Sequence, residues 1–297
     1  KMLKKVLVPV DFSPFTDKVL GCVGELVGIG MNEMVLLHVV DAKMHAEYGD
    51  HLSPAYTAME EEARRRMELL VDKIGGDGYK VHTMIKAGGP APTIVETARD
   101  EDVDFIYMGA HGKGFFNRLI LGSVSEKVLA LADRPVMIQQ CRVKEGDGGG
   151  FSCENVCERL LDNILIANDF SEYAEKIKPV LEKFASSFCA PVTLLHVQEG
   201  RSTFGWDAAF KAKKEKAKDE MAVLQAFADS LAPSCKSVDA KLVTGSPAQW
   251  ILQVAEDINA SLIIIGAFGH RTTGGLLGGV AQRVIRESER PVLVLKA

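Results

Sequence analysis

The sequence is written twice. Lys5-Val6-Leu7-Val8-Pro9-Val10 ends in Asp11-Phe12-Ser13, and Asn163-Ile164-Leu165-Ile166-Ala167-Asn168 ends in Asp169-Phe170-Ser171. Asp11 and Asp169 stand 158 positions apart, as do His38 and His196. Gly88 and Gly245, Pro90 and Pro247, and Gly109 and Gly266 are separated by 157, and Pro135 and Pro291 by 156. Only single-residue insertions or deletions distinguish the copies. A period of this length encloses a complete set of secondary elements, so it argues for two duplicated domains and against a solenoid of small repeats.

Each copy alternates short apolar runs with segments of helical spacing. In the first, strands are expected at Lys5 to Val10, Met34 to Val40, Val81 to Ile85, Phe105 to Met108 and Pro135 to Gln139. Helices are expected at Pro14 to Val27, Pro54 to Ile74, Pro90 to Arg99 and from Gly122 onward. Near-continuous apolar strands alternating with helices imply a parallel sheet covered on both faces with right-handed crossovers. The expected fold is therefore α/β: two consecutive doubly wound domains, each with a five-stranded, mostly parallel sheet flanked by helices. The domains are expected at 1–141 and 159–297. Between them, residues 142–158 are glycine-rich and polar without period, which marks a linker.

The stretch with most chemical content is Gly109 to Ser123, GAHGKGFFNRLILGS, which joins an apolar strand to a helical pattern. The first N–H groups of a helix lack intrahelical partners and lie at the positive end of its dipole, which suits an anion such as phosphate. Gly109, Gly112 and Gly122 are expected to allow close backbone approach and positive φ, with Ser123 near the N-cap. In an open parallel sheet, ligands sit outside the carboxyl ends of strands where the strand order reverses. Asp11 follows such a strand; it is either a hydrogen-bond acceptor for a ligand or an N-cap for the helix after Pro14. His38 and His196 sit within apolar runs and read as satisfied core histidines.

The spacing Gly-x2-Gly-x9-Gly-Ser, with strand residues before it and SVSEKVL after it, resembles the nucleotide-binding signature of the universal stress protein family. The resemblance covers nearly the whole chain, as two copies. It implies that the aspartate after the first strand and the residue after the second hold adenosine, and that the glycine loop and the Gly-Ser helix start hold phosphates. Carried over by position, Pro9, Val10 and Asp11 form the first group and Val39 the second. Met108, Gly109, His111, Gly112, Gly122, Ser123 and Val124 form the third. In the second copy the matching residues are Ala167, Asn168, Asp169, Val197, Ile265, Gly266, Phe268, Gly269, Gly278, Gly279 and Val280. Here the loop is one residue shorter and Gly279 stands where the first copy has Ser123, so a hydroxyl cap and phosphate ligand is expected to be lost. His270, Arg271, Thr272 and Thr273 are either compensating donors or plain polar loop.

The resemblance implies a stress-response regulatory protein that binds ATP, ADP or AMP, with Mg possible alongside ATP. No P-loop, kinase set, His-Glu-x2-His or nucleophile elbow occurs, so no catalytic constellation is read from the sequence. The alternatives are an ATP-using enzyme on a related fold and an interaction module with vestigial sites. A net charge of −5 gives no reason to expect nucleic acid, and no apolar run reaches the roughly 20 residues of a membrane span. No secretory signal is read at the start, and the expected location is the cytoplasm. The six cysteines are read as reduced thiols, with Cys153 and Cys157 as linker residues. The mixed-sign stretches Glu60 to Glu68 and Lys211 to Glu220 read as solvated helix faces. Finally, a last strand has an unpaired edge, so Pro135 to Gln139 and Pro291 to Leu295 are expected to pair antiparallel, making an intrachain pseudo-dimer. By analogy with the family, two such chains are expected to associate into a homodimer.

Overall fold

The computed structural model describes residues 3–41, 54–75, 78–110, 121–140, 142–145, 151–154, 159–199, 208–269 and 277–296. The first half runs β1 (Lys5–Pro9), α1 (Pro14–Val27), β2 (Glu33–Asp41), α2 (Pro54–Ile74), β3 (Lys80–Gly88), α3 (Pro90–Asp100), β4 (Phe105–Gly109), α4 (Ser123–Leu131) and β5 (Val136–Gln139). The second runs β8 (Ile164–Ala167), α5 (Glu172–Phe188), β9 (Pro191–Gln198), α6 (Ala208–Leu231), β10 (Ser237–Thr244), α7 (Pro247–Asp257), β11 (Leu262–Gly266), α8 (Gly279–Glu287) and β12 (Val292–Leu295). Proline opens α1, α3 and α7, where its missing N–H costs nothing and its fixed φ suits the first turn.

All ten of these strands form one sheet, in the order β10-β9-β8-β11-β12-β5-β4-β1-β2-β3. Within each half the pairing is parallel, and the order reverses between the first and fourth strands. The halves meet where β5 and β12 pair antiparallel, Val136 with Val294, Met137 with Leu293 and Ile138 with Val292. Met137 and Leu293 are themselves repeat counterparts, so the pseudo-twofold axis passes between them. The expected pairing of last strands is what the structure shows.

The sheet is buried on both faces. Along β1, Val6 and Val8 enter one apolar cluster and Leu7 the other, the period of two that a pleated strand imposes. The first cluster lies under α1, α2, α5 and α6; the second lies under α3, α4, α7 and α8. Each draws side chains from both halves, and Phe105 of β4 meets Phe184 of α5 edge to face at 5.6 Å. The two repeats therefore share a core.

Within the stretch expected to link the domains lies an antiparallel ribbon, β6 (Arg142–Glu145) with β7 (Phe151–Glu154), forming its own two-stranded sheet. Its register sets Arg142 opposite Glu154 and Val143 opposite Cys153. The intervening residues, Gly-Asp-Gly-Gly-Gly, suit a chain reversal, and glycine content alone does not separate a hairpin from a tether.

Candidate functional site

The chain leaving β1 makes a tight turn. The Asp11 Oδ1 accepts hydrogen bonds from the Ser13 N–H and the Thr16 hydroxyl, both at 3.0 Å. Between them Phe12 adopts φ 59°, a left-handed conformation that costs a non-glycine residue roughly 1–2 kcal/mol. Its ring is held by two contacts: His38 at 4.4 Å and the Arg66 guanidinium at 4.6 Å. His38 is itself fixed, with Nδ1 at 2.8 Å from the Val10 carbonyl. The N-cap alternative for Asp11 does not hold. Ser13 is the N-cap of α1, it makes no side-chain cap bond, and its buried hydroxyl has no hydrogen-bond partner. Asp11 instead shapes the turn and stays at the strand's carboxyl end.

The second element is the start of α4. The Gly122 N–H donates to the Ala110 carbonyl at 2.8 Å, and the Ala110 N–H to the Gln139 carbonyl at 3.0 Å. The Ser125 hydroxyl donates to the Gly109 carbonyl at 2.9 Å, pinning the helix to the end of β4. The first α-helical bond runs from the Glu126 N–H to the Gly122 carbonyl, so the N–H groups of Ser123, Val124 and Ser125 have no intrahelical acceptor. Two expectations change. Gly122, not Ser123, is the N-cap, so the exposed Ser123 hydroxyl is a group at the helix mouth and does not cap it. Gly122 has φ −60° and ψ 141°, an ordinary extended conformation, and Gly109 is not among the glycines with positive φ. What remains of the glycine argument is close approach. A positive φ is found at Gly88, 154°, where an added Cβ would lie 2.5 Å from the Thr93 hydroxyl at the entry to α3.

These two elements face one cleft of about 220 Å³ at the point where the strand order reverses. Of the residues expected from sequence in the first half, Pro9, Val10, Asp11, Val39, Met108, Gly109, Gly122, Ser123 and Val124 all line it. His111 and Gly112 lie outside the described residues. The sequence reading missed Phe15, Thr16 and Val19, which present one face of α1, and Pro90 and Ile94 from α3. The spacing 15, 16, 19 was the available signal, since those positions share a helical face beginning at the Asp11 turn. Leu37, His38 and Ser125 complete the lining, so His38 is both hydrogen-bonded and part of the wall. The result is an apolar slot with a carboxylate at one side and a helix N-terminus at the other.

The second half repeats the frame with changes. Ala167 ends β8; beyond it the Asn168 Oδ1 accepts the Phe170 N–H at 2.7 Å, and the Asp169 Oδ1 accepts the Ser171 N–H at 3.1 Å. Phe170 repeats the left-handed turn with φ 54°, and its ring lies 4.6 Å from His196. Here the serine does cap, Ser171 accepting the Ala174 N–H at 3.1 Å. Val197 lies in β9, and Ile265 and Gly266 end β11. Gly278 is the N-cap of α8, followed by Gly279 and an exposed Val280. Since the first half is also capped by glycine, no hydroxyl cap is lost at Gly279; only a side-chain donor at the helix mouth is. Phe268 and Gly269 turn back toward α5, Phe268 meeting Tyr173 edge to face at 4.9 Å. Residues 270–273 lie outside the described residues.

Comparison with known proteins agrees with this duplication. The sequence pattern of the universal stress protein family matches residues 2–139 and again residues 161–296. A universal stress protein of Methanocaldococcus jannaschii is 32% identical over 153 residues, covering 46% of this chain and 94% of its own length. One from Mycolicibacterium smegmatis is 24% identical over 299 residues, covering 98% of this chain and 96% of its own. Among solved structures, a universal stress protein from Archaeoglobus fulgidus superposes with a TM-score of 0.69 at 26% identity, covering 99% of this chain and 97% of that one.

Proposed function

The chain belongs to the universal stress protein family, with one copy of its domain in each half, and from that premise we propose that it is a regulatory protein that binds an adenine nucleotide in the first-half cleft. The observation that carries this reading is that Asp11 and the N-terminus of α4 line the same cleft, at the carboxyl ends of β1 and β4. A phosphate needs donors and positive potential, and the N–H groups of Ser123, Val124 and Ser125 supply both. A ribose needs an acceptor at the strand end, and Asp11 is one. A base needs apolar walls, and Val10, Val39 and Ile94 provide them. The domains are taken as 1–141 and 159–297, with 142–158 between.

In this reading the chain's own residues bind and orient. Any Mg²⁺ would arrive on the phosphates of ATP; among the described residues no cluster of three His, Cys, Asp or Glu could hold a metal ion by itself. The test is calorimetric titration of ATP, ADP and AMP into the full chain and two variants. Gly122→Val requires no unusual φ, so the chain should fold, but the added side chain at the helix mouth should abolish binding in this cleft. Ser123→Ala should weaken ATP by about fivefold, about 1 kcal/mol. An unchanged affinity in folded Gly122→Val would remove the phosphate-site reading.

A further inference from the structure

The residues that line the first-half cleft have counterparts in the second half, and several of them differ in size or bonding. On α1, Phe15 corresponds to Tyr173, Thr16 to Ala174 and Val19 to Ile177, and by sequence position Phe268 is the counterpart of His111, which lies outside the described residues. The tyrosine hydroxyl, which Phe15 lacks, donates to the Leu295 carbonyl at 3.3 Å, at the end of the strand that joins the halves. The Tyr173 ring meets Phe268 at 4.9 Å, and the Lys296 ammonium lies 5.3 Å from the same Phe268 ring. The extra methyl of Ile177 also matters. A Cβ built on Gly266 would find Ile177 Cδ1 at 3.0 Å, the Phe268 carbonyl at 3.4 Å and Tyr173 Cδ1 at 3.6 Å. The space over Gly266, which at Gly109 is cleft wall, is filled by side chains of α5.

The chain also approaches the carboxylate: a Cβ built on Gly269 would lie 2.7 Å from the Asp169 Oδ2, so the segment after β11 runs beside one oxygen of the group that corresponds to Asp11. Ala174 gives Asp169 no hydroxyl like the one Thr16 gives Asp11.

We infer that Tyr173 and Phe268 form an internal latch that closes the second-half counterpart of the cleft, so that one chain offers one open nucleotide site and holds a second shut. The inference rests on the nucleotide reading of the first cleft, and it assigns the inequality of the halves to occupation by the protein's own side chains. Size and anchoring decide this: an adenosine cannot lie where two rings and an isoleucine already pack, and the latch is tied to the Leu295 carbonyl.

The experiment counts AMP sites on the full chain by calorimetry, since AMP asks least of the phosphate loop. The probe variant is Tyr173→Phe/Ile177→Val/Phe268→His, which installs the first-half residue at each position; circular dichroism and the melting curve report folding. The wild type should bind about one AMP, lost in Asp11→Ala, and the triple variant about two, the new one removed by adding Asp169→Ala. About two AMP on the wild type, a single site that survives Asp11→Ala, or no new site in the folded triple variant would each overturn the latch. If the wild type binds none, the reading of the first cleft fails. The triple variant still decides the latch in that case: a site that depends on Asp169 supports it, and no site overturns it.

Discussion

Lys296 and Gln140 occupy equivalent places on either side of the pseudo-twofold axis and do the same task with different charge. The Gln140 amide donates to the Ile285 carbonyl in the last turn of α8, and the Lys296 ammonium donates to the Leu129 carbonyl in the last turn of α4. Both satisfy helix-end carbonyls that lack intrahelical donors. Lys296 is only 5% exposed, and burial lowers its pKa from 10.5 to about 8. The unfolded chain therefore binds the proton more tightly than the folded one, and the penalty for burying the charge is complete below pH 8. It is relieved as pH rises from about 8 toward 10.5, so stability should rise across that window. Lys296→Gln keeps a donor for Leu129 and removes the charge. We expect it to stabilise the protein at pH 7 by on the order of 1 kcal/mol and to abolish the alkaline rise. Urea unfolding between pH 7 and 10.5 checks both; a wild-type stability that falls steadily over that range would contradict the argument.

At the scale of elements, the strands and most helices were legible because their signals are local. Near-continuous apolar runs gave the sheet its strands, and prolines gave four helix starts, at Pro14, Pro54, Pro90 and Pro247. The carboxyl-end site was legible through one rule of topology, which is why nine expected residues line the cleft. What the sequence hid depends on the neighbouring element. The spacing of Phe15, Thr16 and Val19 puts them on one helical face, but they enter the site because α1 turns back over β1 and β4, which the spacing alone does not state. The left-handed Phe12 is paid for by His38 and Arg66, which lie 26 and 54 positions away. Glycine was over-read: at Gly122 the backbone is ordinary, whereas Gly88, which does need its positive φ, drew attention only as a repeat marker. The β6–β7 ribbon was missed for a related reason, since a hairpin and a tether share a glycine-rich composition.

For the whole molecule, fusing two domains through β5 and β12 removes one exposed edge from each half. The docking is reinforced at Asp104, which accepts the Lys4 N–H at 2.7 Å and the Lys5 N–H at 3.0 Å and pairs with Lys183 of α5. Burial disfavours the charged carboxylate there, but Lys183 and the two N–H groups outweigh it and hold its pKa below the ordinary 3.8. Because the folded pKa is lowered, this contribution is full above about pH 4 and is lost as pH falls through the folded value. Asp104→Asn should cost on the order of 1 kcal/mol at neutral pH and flatten the acid limb of stability in urea titrations. An acid limb identical to the wild type would exclude Asp104 as its source. The pairing of last strands could be foreseen from the repeat, and so could an inequality of the halves from the shorter second loop and Gly279, but not the packing of Tyr173 against Phe268, because those rings touch only after folding. The central claim is the position of the nucleotide, and a crystal structure of the full chain grown with ATP tests it most directly. The account predicts phosphates against the N–H groups of Ser123, Val124 and Ser125 with adenosine between Asp11 and Val39, and a nucleotide bound anywhere other than this cleft would contradict it.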